Sequence, residues 1–92
     1  MDTLSHEQIA AALAELEGWG FQEEAFVRTF RFADFVHAVD FVEQLADVAE
    51  SMQHHPDIDI RYNKVTLHVV THSAGGVTTR DVELAAALDH LA

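Results

Sequence analysis

The chain has 92 residues, which suffice for one small domain over residues 1–92, and its apolar content of 49% excludes an intrinsically disordered protein. Sixteen acidic residues against five basic ones give a net charge of −11, which repels phosphate backbones and argues against direct nucleic-acid binding. The chain has no cysteine, no signal-peptide pattern and no apolar stretch near the ~20 residues that cross a bilayer, so we expect a cytoplasmic protein without a membrane segment.

The amino-terminal part of the chain predicts a helix followed by a hairpin. Ser5 and Gln8 have the spacing of a capping box, and apolar residues then recur every three or four positions to about Glu17. Residues 24–32 alternate between mostly aromatic and mostly polar side chains, which is the pattern of a β-strand. A short strand over residues 19–23 would complete the hairpin.

A long second helix is predicted from Asp34, which caps it, to about Gln53. Pro56, the only proline, disfavours helical geometry at the residue before it and so helps to end the helix. The apolar face of this helix is wide enough to cover a core and leave room for a subunit contact. The predicted core stripe comprises Phe35, Val39, Val42, Ala46 and Ala49, widened by Val36, Leu45 and Met52.

A second hairpin is predicted after the long helix. Residues 58–62 and 65–72 alternate in the manner of two strands, and Asn63-Lys64 supplies the turn between them. The more apolar set of the later strand should face the helices. His72 is then expected on the opposite, more open face of the sheet or at its rim.

The last helix is predicted to begin at Thr78 or Thr79, with Asp81 in its first turn. The complete order of elements is therefore α-β-β-α-β-β-α. This order predicts an α+β two-layer sandwich, in which the helices pack on one face of a four-stranded antiparallel sheet.

Three histidines stand out from this framework. His54 and His55 close the long helix beside Pro56, and His72 returns from a separate strand sixteen residues beyond that proline. Imidazole gives and takes protons near neutrality, because its unperturbed pKa is about 6.5. Glu50 lies four residues before His54, within reach on the same helix face, where its carboxylate could orient the ring.

The cluster admits acid–base chemistry, metal binding or a pH switch, and the simplest alternative is a set of exposed histidines at a helix end. The spacing matches neither the His-x-x-x-His of one helix face nor the His-x-His of a strand, so we expect no metal site. His68 shares a strand face with His72 but lies roughly 13 Å from it, too far to share one metal. His68 could still border the same cavity as the cluster, and Asp81 is a second carboxylate that could orient an imidazole.

Four ordered blocks of the sequence are similar to a known signature. They are Glu50-x-x-x-His54-His55-Pro56, Tyr62-Asn63-Lys64-Val65, Thr71-His72 and Arg80-Asp81. In this order and spacing they resemble the pterin-4a-carbinolamine dehydratases, which are also known as dimerisation cofactors of a homeodomain transcription factor. The resemblance extends from the region of Trp19 through the final helix. It implies the same α+β fold and association into a homodimer or homotetramer.

The resemblance implies the activity of a 4a-hydroxytetrahydrobiopterin dehydratase, a carbon–oxygen lyase. Its small-molecule substrate would be a pterin-4a-carbinolamine, which loses water to give a quinonoid dihydropterin in tetrahydrobiopterin recycling. The reaction implied requires neither a metal nor an organic cofactor. A non-catalytic oligomerisation or partner-binding module that keeps the fold is the alternative function.

The resemblance also implies roles for individual residues. His54 and His72 would be the acids that protonate the leaving hydroxyl on either face of the pterin ring, and His55 would assist as a base or bind substrate. The supporting residues, which would orient imidazoles, balance charge or fix the end of the helix, are Glu50, Pro56, Arg80 and Asp81.

Overall fold

The computed structural model describes residues 2–92 and has the element order predicted from the sequence. Its strands form one antiparallel sheet in the spatial order β1-β2-β4-β3, so the predicted α+β class is confirmed. None of the helices in residues 2–92 has the length and apolarity needed to cross a membrane. The elements are α1 (His6–Glu15), β1 (Gly20–Gln22), β2 (Ala25–Arg31), α2 (Phe35–Met52), β3 (Asp57–Arg61), β4 (Lys64–Val69) and α3 (Thr79–Asp89), with a 3₁₀ turn over His72–Ala74 before α3.

The sheet side of the core is built from alternate residues of the two central strands, β2 and β4. Phe26 and Phe30 of β2 lie directly opposite Val69 and Val65 of β4 in the register. All four side chains are buried, as is Leu67 between them in β4. The prediction that the apolar set of the later strand faces the helices is therefore confirmed.

The core stripe predicted for α2 is displaced from the buried face, which it shares at Leu45 and Ala49. The buried residues of the helix are Ala38, Phe41, Leu45 and Ala49, whereas Phe35 is 51% exposed and Ala46 is also exposed. Apolar side chains occupy most of the circumference of this helix, so their spacing alone does not locate the centre of the buried face. Phe41, which the predicted stripe omits, packs on Phe30 with their ring centroids 4.9 Å apart.

Backbone conformation fixes both hairpins. Glu23 and Glu24 have φ angles of 51° and 64°, the positive values that a two-residue type I′ turn between β1 and β2 requires. In the second hairpin Tyr62 has a φ of 55°, and Lys64 already belongs to β4. The turn therefore lies at Tyr62-Asn63, one residue earlier than predicted.

The carboxyl end of α3 is tied to the sheet through Asp89. One oxygen of Asp89 accepts hydrogen bonds from the indole Nε1 of Trp19 and from the guanidinium of Arg28, both at 2.9 Å. The guanidinium carbon of Arg28 also lies 4.4 Å from the centroid of the Phe30 ring. Arg28 interrupts the aromatic face of β2 because this carboxylate on α3 pairs with it.

The amino terminus of α2 is capped by Asp34, which also pairs with His37. The Asp34 carboxylate accepts the backbone N–H of His37 at 2.9 Å and lies 2.7 Å from Nδ1 of its ring. These two hydrogen bonds, the backbone one first, lower the pKa of Asp34 below its ordinary value. The side-chain hydrogen bond to Asp34 raises the pKa of His37.

The substitution Asp34→Asn tests this pair, because asparagine still caps the helix but has no charge. We expect the pKa of His37, measured by NMR titration of its ring signals, to fall toward the ordinary value of imidazole. The ring signals of His6, on a different helix, provide the internal control. An unchanged titration of His37 would contradict the pairing.

The pair also sets a pH window for its contribution to stability. The contribution of His37 is full below the imidazole pKa of the unfolded chain and is lost as pH rises through the raised folded value. The contribution of Asp34 is full above the carboxyl pKa of the unfolded chain and is lost as pH falls through the lowered folded value. Both contributions are therefore full only between the two unfolded values.

The core predicts unequal effects for two identical phenylalanine substitutions. Phe26 is 0% exposed, so Phe26→Ala should lower the free energy of unfolding, measured in urea, by about 3–5 kcal/mol. Phe35 is 51% exposed, and Phe35→Ala should cost less than half as much. Equal losses in the two variants would show that the core has been placed incorrectly.

Candidate active site

A buried hydrogen-bond network joins the end of α2 to the beginning of α3. Nε2 of His54 lies 2.5 Å from Oδ1 of Asp81, and the two residues are 8% and 0% exposed. The other carboxylate oxygen, Oδ2, accepts the hydroxyl of Thr71 and the backbone N–H of Thr78, each at 2.7 Å. Asp81 therefore binds three segments of the chain at once.

Asp81 occupies this position because it is part of the cap of α3. The helix begins at Thr79, one of the two predicted starts. Thr78 is its N-cap residue and Asp81 its third residue, so the two form a capping box. The hydroxyl of Thr78 accepts the backbone N–H of Arg80 at 3.2 Å. The capping box uses Oδ2 of Asp81 and leaves Oδ1 directed to His54.

The end of α2 is held by α3. Gln53, the C-cap residue, is left-handed with a φ of 53°, so the chain leaves the helix axis just before His54. The guanidinium of Arg80 donates to the carbonyl oxygens of Gln53 at 2.5 Å and of Met52 at 3.5 Å. A cation at this position also faces the negative end of the helix dipole. In this single chain Arg80 contacts the backbone that delivers His54.

The other two histidines of the cluster lie on the surface, and each has a carboxylate of its own. Nε2 of His55 is 3.4 Å from Oε2 of Glu50, with side chains 58% and 70% exposed. Nε2 of His72 is 3.6 Å from Oδ2 of Asp57, with side chains 78% and 67% exposed. All three histidines are thus paired with acids, and only the pair that includes His54 is buried.

The segment over residues 54–57 links the three pairs. His54 contacts Asp81, His55 contacts Glu50, and Asp57 contacts His72. His72 directly follows Thr71, which donates to Asp81. The residues that the sequence analysis selected as a cluster therefore meet around one short stretch of chain.

One predicted contact and one predicted strand differ from the structure. Glu50 contacts His55 instead of His54, because the left-handed Gln53 turns His54 away from the helix face toward α3. The strand predicted over residues 65–72 is also shorter: β4 ends at Val69, and His72 opens the 3₁₀ turn after an isolated bridge between Thr71 and Gly76, so it lies at the rim of the sheet.

We expected the histidines to border a cavity, and the structure differs in this respect too. In residues 2–92 of the single chain no pocket closes around them, and His55 and His72 stand on an open surface. His68 is half-buried on the sheet face opposite the core, beside Asp57 in the register. No group of three metal-ligating side chains is found within residues 2–92.

Two residues of the site, Asp57 and Thr71, received no role from the sequence. Asp57 follows Pro56 directly, and an acid next to a histidine pair is a signal that could have identified it. Thr71 shares its side of the chain with the buried apolar residues of β4, and a hydroxyl at such a position requires a partner. That partner, Asp81, could be identified only from the packing of α3.

The network predicts a strong effect of removing its central acid. Asp81→Ala leaves the buried Thr71 hydroxyl, Thr78 amide and His54 ring without their acceptor, and should lower the free energy of unfolding by about 3 kcal/mol. Glu83, exposed on the same helix, provides the control, and Glu83→Ala should change stability by less than about 0.5 kcal/mol. Urea unfolding measures both, and similar small losses would contradict the network.

Comparison with known proteins identifies the family. The family model described as pterin 4 alpha carbinolamine dehydratase matches residues 2–91. Two curated proteins, both named "Putative pterin-4-alpha-carbinolamine dehydratase", are similar to nearly the whole chain. The protein of Chloroflexus aurantiacus is 50% identical over 91 residues, 99% of this chain and 98% of its own length. That of Thermomicrobium roseum is 49% identical over 92 residues, 100% of this chain and 99% of its own length.

A solved structure agrees with the sequence comparisons. The crystal structure of a transcriptional coactivator/pterin dehydratase from Brucella melitensis superposes with a TM-score of 0.94 at 36% sequence identity, and the match covers 99% of each chain. The family model, the curated relatives and the fold therefore agree. The chain belongs to the pterin 4 alpha carbinolamine dehydratase family.

Proposed function

We propose that this protein dehydrates a 4a-hydroxytetrahydrobiopterin-type carbinolamine to a quinonoid dihydropterin, as a carbon–oxygen lyase of tetrahydrobiopterin recycling. The observation on which this proposal depends is the set of three histidines around residues 54–57, each paired with its own carboxylate. Membership of the family supports a pterin as the substrate.

The reaction consists of two proton transfers and the breaking of one bond. A proton is delivered to the 4a-hydroxyl, the carbon–oxygen bond breaks as water leaves, and a proton is removed from the adjacent ring nitrogen. General acid–base catalysis of such steps by positioned side chains contributes about 10²–10⁴-fold to a rate. Imidazoles suit both transfers near neutral pH.

The three histidines are suited to different parts of this reaction. His54 is buried and held by Asp81, so its ring can present an acid in a fixed orientation to one face of the pterin. His72 is exposed beside Asp57 and would protonate a hydroxyl on the other face. His55, also exposed, would accept the ring proton or bind substrate. No step requires a metal or an organic cofactor.

We also propose that the protein works in the cytoplasm as a homodimer or homotetramer. All five residues of β3, an edge strand, are exposed. Ile58 and Ile60 of this strand lie opposite the buried Leu67 and Val65, yet they are 41% and 37% exposed, because the helices do not cover this edge. A second copy that covers the edge would remove this apolar surface from water.

The dehydration is tested by stopped-flow measurement of carbinolamine decay with purified variants. His54→Ala and His72→Ala should each reduce the catalysed rate by about 100-fold while the proteins stay folded. His90, exposed at the end of α3, provides the control, and His90→Ala should retain the wild-type rate. Full activity in both His54→Ala and His72→Ala would overturn the mechanism.

The same assay separates the enzyme from the alternative function. Carbinolamine decay at the uncatalysed rate with wild-type protein would favour a non-catalytic oligomerisation or partner-binding module. The net charge of −11 opposes direct binding of a phosphate backbone by such a module, so its partner would be another protein.

A further inference from the structure

We propose that Thr71 is a positioning residue for His54, and that its hydroxyl directs this histidine to exchange protons through Nδ1. The effect of Thr71 on catalysis rests on the dehydration proposed above. Its effect on the tautomer of His54 concerns the resting protein and can be measured without any pterin.

The direction of each hydrogen bond in the network follows from the groups involved. The hydroxyl of Thr71 lies 2.7 Å from Oδ2 of Asp81 and 3.0 Å from the hydroxyl of Thr78. A carboxylate only accepts, so the single proton of the Thr71 hydroxyl points to Asp81, and the Thr78 hydroxyl donates to Thr71. Oδ2 also accepts the backbone N–H of Thr78 at 2.7 Å. Two donors therefore hold Oδ2, and the carboxylate cannot rotate without losing both.

The fixed carboxylate selects one tautomer of His54. With Oδ2 occupied by two donors, Oδ1 is the acceptor that faces Nε2 of His54 at 2.5 Å. The neutral ring consequently bears its hydrogen on Nε2, and the lone pair lies on Nδ1. Every fully buried side-chain nitrogen or oxygen within residues 2–92 has a hydrogen-bond partner. The hydrogen bond of His54 uses Nε2 and leaves Nδ1 without one. Nδ1 is therefore not fully buried and retains contact with solvent.

Proton transfer then follows a single route at this residue. The protonated imidazole of His54 gives the hydrogen on Nδ1 to the 4a-hydroxyl, and the carbon–oxygen bond breaks with release of water. The base, the role proposed for His55, takes the proton of the adjacent pterin nitrogen. The ring of His54 is left neutral with Nε2–H still bound to Asp81, and it is protonated again at Nδ1 from solvent. Asp81 itself gains no proton in the cycle.

The tautomer is measured directly by long-range ¹H–¹⁵N NMR of the histidine rings in the resting wild-type protein. We expect neutral His54 to bear its hydrogen on Nε2. Thr71→Val keeps the shape of the side chain but removes the hydroxyl, and should give a mixture of both tautomers. The same variant should lose about tenfold or more in kcat, with KM within about twofold of wild type. Thr71→Ser should restore both the tautomer and kcat.

Thr29→Val is the matched control. Thr29 is exposed on β2, and its hydroxyl bonds that of Thr66 at 2.8 Å on the opposite face of the sheet from the core. This substitution also removes a hydroxyl from a threonine pair, and should leave the His54 tautomer and kcat unchanged.

Two results would overturn the proposal. One is a hydrogen on Nδ1 of neutral His54 in the wild-type protein, which decides the matter even when Thr71→Val does not fold. The other is an unchanged tautomer in folded Thr71→Val. A tautomer that responds as expected in a protein without dehydratase activity would instead contradict the proposed function and leave the positioning role of Thr71 intact.

Discussion

The buried carboxylate of Asp81 is the constraint on which the site depends. An ionised group at 0% exposure would cost several kcal/mol without partners, so the chain must supply donors around it. It does so from the exit of β4 with Thr71, from the cap of α3 with Thr78 and from the exit of α2 with His54. The hydrogen bonds that stabilise the buried Asp81 carboxylate thereby fix the orientation of His54, the histidine proposed as an acid.

The helix α3 is the element that transmits this constraint. Asp81 and Arg80 in its first turn hold His54 and the carbonyl end of α2, while Asp89 at its other end pairs with Arg28 and Trp19. The helix is thus fixed to the sheet at one end and to the histidine segment at the other. Movement of α3 would displace His54 from its acceptor and release the end of α2 together.

The sequence predicted those features that depend on local pattern. The order of elements, the capping residues Ser5 and Asp34, the start of α3 and the buried face of β4 all follow from spacing over a few residues, and the structure agrees with them. The phase of α2 could not be predicted, because apolar residues such as Phe35 extend well beyond the face that packs on the core.

The pairing of the site residues depends on tertiary structure, and spacing alone did not predict it. Glu50 was expected beside His54, but the left-handed Gln53, held by Arg80 from another helix, separates them. The pair of His72 with Asp57 likewise arises where the chain leaves β4 beside the start of β3. The family resemblance supplied the proposed site residues, and the structure shows which acid lies beside which histidine.

The most direct test of the account is the decay of a purified pterin-4a-carbinolamine in a stopped-flow instrument, with and without the wild-type protein. If His54 and its neighbours form a dehydration site, decay should be faster than in buffer, in proportion to enzyme concentration at low enzyme and with saturation in substrate. Decay at the buffer rate, by folded protein over the pH range in which imidazole titrates, would contradict the central claim.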